Sequence, residues 1–147
     1  MRKTLAALRG AFILTLAVSP AAAQTPAASV AHAWFRALPS GLPAGGYFTL
    51  HNDGAAPLTL TGATSPACGM VMLHRSDTSS GMAEMRDVST LDVPAGGTIA
   101  FAPGGLHLMC MQPGPAMTPG GSVKVTLTFQ GGGTLETVFA VRNAAGN

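Results

Sequence analysis

The sequence predicts an all-β protein, a β-sandwich or small Greek-key barrel of about nine short strands. Three observations predict it. Gly (19) and Pro (11) make up about a fifth of the 147 residues, which disfavours long helices. Apolar stretches of strand length alternate with Gly/Pro turns at regular spacing. No segment keeps a helical hydrophobic period over three turns. With 47% hydrophobic and only 10% charged residues, the chain is far too apolar for disorder, and its length suits one domain.

The first segment is expected to lie outside the fold. Met1-Arg-Lys-Thr4 is a positive lead, Ala11–Val18 is a short apolar run, and Ala21-Ala-Ala23 offers small residues before Gln24. That pattern reads as a secretory signal peptide, residues 1–23, cleaved between Ala23 and Gln24. Its apolar run is too short to span a bilayer. No Cys follows it, so a lipid anchor is not expected. Residues 24–29 read as a mobile lead-in, 30–142 as the β domain and 143–147 as a short tail.

The strands follow in order. His32–Leu38 runs into Pro39 and a Gly/Pro loop. Gly46–His51 stops at Asn52-Asp53-Gly54, a strong turn signal. Leu58–Ala63 alternates with period two, and Met70–His74 is a fourth run. Val88–Val93 precedes Pro94, Thr98–Phe101 precedes Pro103, and Leu106–Met111 precedes Pro113. Val123–Phe129 and Thr134–Val141 flank a Gly131–Gly133 turn and close the domain.

Charge excludes several partners. Without residues 1–23 the chain keeps five basic residues (Arg36, Arg75, Arg86, Lys124, Arg142) against six acidic ones. No basic patch remains for nucleic acid or an anionic membrane, and no second stretch is long enough to cross one. The chain has no C-x-x-C motif, phosphate-binding Gly loop or G-x-S-x-G elbow, and its acids show no pairing suited to acid–base work. An enzyme is not expected.

Methionine carries the chemical signal. Seven of the eight Met residues fall between positions 70 and 117, together with His74 and His107. His107 and Met109 are two apart, so a strand projects both from one face. His74 ends an apolar strand, and Met85 sits in a turn-rich stretch from which it can fold over as a fourth donor. Thioether and imidazole together suit Cu(I) and are poor for Mg, Ca or Zn. Met70, Met72, Met111 and Met117 read as core or rim, because Met is more often an adaptable packing residue than a ligand. Met82 is a candidate cover over the site. His32 and His51 read as edge or core residues.

The spacing His74-x10-Met85-x21-His107-x-Met109 resembles the motif of the periplasmic PCu(A)C-type copper chaperones. The flanks are similar too: Ala31–Arg36 and Gly46–Asn52 look like the family's opening strands, and Gly81–Arg86 and Pro103–Met109 like its two ligand segments. The resemblance implies a cupredoxin-like fold and one Cu(I) held by His74, Met85, His107 and Met109. It further implies a monomeric carrier in the periplasm of a Gram-negative bacterium. Its partners would be the copper ion and an acceptor, either the Cu(A) subunit of cytochrome c oxidase or another copper chaperone. The tail Asn143–Asn147 has no metal ligand, so the tail-based second site of many family members is not expected.

Cys68 and Cys110 form an even pair in an exported chain, so a disulfide is the expectation. The alternative is a reduced thiolate on copper, against which Cys110 has opposite strand parity to His107 and Met109. Two other functions remain open from the residues. An electron-transfer cupredoxin would need a Cys thiolate and would be intensely blue with Cu(II). A metal-free exported β-sandwich binding module would show an exposed apolar patch and no copper affinity.

Overall fold

A computed structural model describes residues 24–147. It contains ten strands, with a single 3-10 turn at Pro39–Gly41 and no α-helix among the described residues. The strands are β1 (Ala28–Arg36), β2 (Ala44–Asn52), β3 (Leu58–Thr64), β4 (Cys68–Asp77), β5 (Glu84–Asp87), β6 (Leu91–Val93), β7 (Thr98–Phe101), β8 (Leu106–Pro113), β9 (Ser122–Phe129) and β10 (Thr134–Arg142). Among the described residues, no helix is long and apolar enough to cross a membrane.

Hydrogen bonding links the strands in the order β5-β4-β8-β2-β1-β10-β9-β3-β6, with β7 also on β2. The all-β class read from the sequence is borne out. β1 sits between β2 and β10, antiparallel to the first and parallel to the second. β2 changes partner along its length. Ala44, Gly45 and Gly46 pair with β8, while Phe48 to His51 pair with β7.

The core follows from strand alternation. On β2, Ala44, Phe48, Leu50 and Asn52 are buried; on β9, Val123, Val125, Leu127 and Phe129 are. Phe35, Phe48 and Phe139 pack at its centre, with ring centroids 5.1 Å and 5.4 Å apart for the two pairs that involve Phe139. On β8, Leu106, Leu108 and Cys110 face this core, which turns His107 and Met109 to the outer face.

Three elements differ from the sequence reading. β5 was not expected as a strand. β6 is shorter than Val88–Val93. β1 begins at Ala28, inside the segment read as lead-in, and carries a bulge between Ala31 and Trp34 where His32 has φ 54°.

Asn52, read as a turn residue, is also a fully buried pin. Its side-chain NH2 donates to the carbonyls of Ala56 (2.8 Å), Val93 (3.0 Å) and Pro94 (3.2 Å), and its carbonyl accepts from the Gly54 N–H (2.9 Å). It ties the β2–β3 loop to the end of β6. Asn52→Ala strands these buried groups and is expected to lower the unfolding free energy by about 3 kcal/mol, measured by urea denaturation. A loss below about 0.5 kcal/mol would show that the loop finds other partners.

Candidate metal centre

The site is built by the pairing of β4 with β8. The ladder sets His74 opposite His107, Met72 opposite Met109 and Met70 opposite Met111. Directly opposed residues project from the same face, so these six side chains form three rungs on the outer surface. The rings of His74 and His107 meet edge to face, with centroids 5.7 Å apart. β5 then pairs with β4, placing Ser76 opposite Met85 and His74 opposite Asp87. Met85 therefore reaches the same face from a strand, not from a turn as expected. All four sequence-predicted residues, His74, Met85, His107 and Met109, lie on one face of three adjacent strands.

A tight turn sets the His107 ring. Gly104 has φ 82° and the Gly105 N–H bonds to Ala102 O at 3.0 Å, closing the turn between β7 and β8. The Gly105 carbonyl then lies 3.0 Å from His107 Nδ1. A carbonyl only accepts, so Nδ1 carries the proton and the Nε2 lone pair is left free. His107 is only 5% exposed, and Nε2 has no hydrogen-bond partner. Asp87 Oδ1 lies 2.9 Å from His74 Nε2, outside hydrogen-bonding geometry but close enough to pair with the ring electrostatically, and His74 Nδ1 lacks a partner.

Among the described residues, four buried side-chain nitrogens lack a hydrogen-bond partner: two on His74, Nε2 of His107 and Nε of Arg36. Arg36 lines an open depression of about 210 Å3 with Tyr47, Ser76, Met85, His107 and Met109. Polar atoms left this way in a native interior call for an explanation, and a bound cation supplies one for the imidazoles. Gly45 makes room here. It pairs with both Arg36 and Met109, and a Cβ on it would stand 2.7 Å from the Tyr47 hydroxyl, which leans over the gap.

The donor chemistry is soft. Among the described residues, no group of three or more His, Cys, Asp or Glu side chains is placed to hold a metal ion, so a hard-ion cage is not available. Cys68 and Cys110 are joined in a disulfide, with their Cα atoms 5.4 Å apart, and no free cysteine remains. Cys110 faces the core, as its parity required, and neither sulfur is available as a thiolate.

The other methionines separate. Met117 is buried in the core, whereas Met70 is 56% exposed on the outer face. Met82 is 71% exposed in the turn before β5 and does not line the depression. His51 is half-buried, with Nδ1 2.7 Å from the Thr98 hydroxyl. Sequence reading missed Asp87, Arg36 and Tyr47. Only the cross-strand register reveals them.

The model of the LpqE-like putative lipoprotein family matches residues 28–141. The chain belongs to the LpqE-like family. A putative lipoprotein of Leifsonia xyli subsp. xyli is 35% identical to this LpqE-like chain over 133 residues, covering 86% of it and 80% of the relative. The solution structure of apo-DR1885 from Deinococcus radiodurans superimposes with a TM-score of 0.62 at 32% identity, covering 97% of each chain. The Cu(I) form of DR1885 gives 0.63 at 31% identity, over 83% of this chain and 81% of that one. The copper-bound PCuAC domain from PmoF2 gives 0.65 at 24% identity, over 82% and 96%, and speaks for the fold alone. The PCuAC resemblance read from the sequence, with its cupredoxin-like fold, is borne out. The signal segment 1–23 lies outside the described residues.

The turn that leads into Met85 is held by Asp77. Its carboxylate accepts from the Ser79 N–H at 2.8 Å, and hydrogen bonding from Ser79 holds its pKa below the ordinary 3.8. The fold thus favours the anion, a contribution present above the ordinary carboxylate range and lost as pH falls through the lowered value. The Ser79 amide resonance is expected to titrate with a midpoint below 3.8. A midpoint at or above it would remove Asp77 as the anchor of this turn.

Proposed function

We propose that this chain is an exported Cu(I) metallochaperone that binds one copper ion through His74, Met85, His107 and Met109 and passes it to an acceptor. One observation carries the reading. The buried Nε2 of His107 and Nδ1 of His74 are unpartnered, His74 Nε2 has only the exposed Asp87 carboxylate at 2.9 Å, and both rings share a sheet face with two thioethers at the spacing the sequence singled out. Imidazole and thioether bring no negative charge to offset a dication, and thioether is a soft donor, so the set favours Cu(I) over Cu(II). A relative's description supports it: the structural neighbour at 31% identity is a Cu(I) form of DR1885.

The geometry divides the labour. His107 Nε2 is preset because Nδ1–H donates to the Gly105 carbonyl, and Met109 stands beside it on the same strand. Met85 is 64% exposed on an edge strand, and its three rotatable bonds let it close over the ion or let it go. An incoming acceptor ligand therefore meets Met85 first. Release to a thiolate-richer acceptor follows from ligand softness. That acceptor is the Cu(A) subunit of cytochrome c oxidase or another copper chaperone. The chain acts as a monomeric carrier and performs no catalysis.

Export rests on the family's description as putative lipoproteins, on the disulfide, which suits an oxidising compartment, and on the signal pattern of residues 1–23 with cleavage before Gln24. The destination is the periplasm if the host is Gram-negative. The blue-copper alternative loses its thiolate to the Cys68–Cys110 bridge.

Titration with Cu(I) against a colorimetric chelator is expected to give one tight equivalent, weakened at least ~10-fold in Met109→Ala and in His107→Ala. Competition unchanged by both substitutions would overturn the site. The Cu(II) form is expected to lack the intense blue colour of a thiolate site, read by visible absorption.

A further inference from the structure

We propose a second soft-metal site on this face, formed by Met70, Met72 and Met111 and lying one rung beyond the His/Met centre. It extends the proposed function but uses three other residues. The β4–β8 register sets Met70 against Met111 and Met72 against Met109, so four thioethers occupy two consecutive rungs of one surface. The rungs are about 7 Å apart along the strand, within reach of an unbranched side chain with three rotatable bonds.

Packing does not account for these residues. The core lies on the opposite face of both strands, where Leu73, Leu108 and Cys110 are buried. Met70 is 56% exposed, and Met72 and Met111 are half-buried. On β9 and β10 the outward positions include polar Ser122, Lys124 and Glu136 beside apolar Val138 and Ala140. Here they carry thioethers on both of the two rungs next to the histidines.

Three neutral thioethers suit a soft monovalent ion, Cu(I) or Ag(I), and offer nothing to Zn or Cu(II), which prefer imidazole, carboxylate or thiolate. Without imidazole this site is the weaker of the two. It fills after the His/Met centre, empties before it, and holds a second ion next to Met109. The ion enters and leaves as a monovalent cation, so no electron is exchanged.

Silver(I) titration of the protein labelled with 13C at its methionine methyls tests this. Two equivalents are expected in the wild type. The first moves the Met85 and Met109 methyls, and the second moves those of Met70, Met72 and Met111. Met70→Leu with Met111→Leu, which conserves apolar volume, is expected to take one equivalent, with the first step unchanged. His107→Ala is expected to lose the first step and keep the thioether equivalent. Saturation of the wild type at one equivalent, or a second equivalent that persists in the double Leu variant, overturns the second site. A first step that survives His107→Ala instead overturns the His/Met reading.

Discussion

The unbroken pairing of β4 with β8 is the constraint on which the candidate centre depends. It alone brings His74 to His107 and Met72 to Met109, from segments more than thirty residues apart in the chain. The strands are also held covalently. The Cys68–Cys110 bridge closes a separation of 42 residues, worth about 4 kcal/mol in the chain-entropy account. A one-residue slip would turn every donor of β4 into the core and bring Leu73 out. The bridge and the buried Leu73, Leu108 and Cys110 oppose that slip together, so core packing and metal-site geometry are one constraint seen from two faces.

The fold leaves the histidines unsatisfied in a particular way. His107 is held by one nitrogen and open at the other. Each buried nitrogen without a partner costs about 1–3 kcal/mol, a cost a bound cation offsets. The rigid half of the site is β8, where a turn and the core fix His107 and Met109. The yielding half is β5, an exposed edge strand attached only to β4. A carrier must both hold and release, and the division between a buried strand and an edge strand supplies both. The exposed Arg86 and Glu84 side chains bond to each other at 3.1 Å and leave Met85 uncommitted.

Much of this was legible in the sequence because strand parity is local. His107 and Met109 share a face by spacing alone, and Cys110 had to point away. β5 was hidden because Glu84-Met-Arg-Asp87 lacks the apolar alternation that marks a half-buried strand; its pairing with β4 makes it one. Asp87, Arg36 and Tyr47 were missed because their nearness to the site depends on register across strands, which no single segment encodes. Asn52 shows the same limit in the core. Its turn signal is local, but its bonds to Val93 and Pro94 cross forty residues.

X-ray absorption on the protein loaded with one equivalent of Cu(I) tests the central claim most directly, because it counts the donors around the ion. The account predicts a mixed shell of two nitrogen and two sulfur scatterers, with the nitrogen scatterers lost when His107 and Met109 are both replaced by Ala. A shell of nitrogen and oxygen alone, or a mixed shell unchanged by that double substitution, would contradict it.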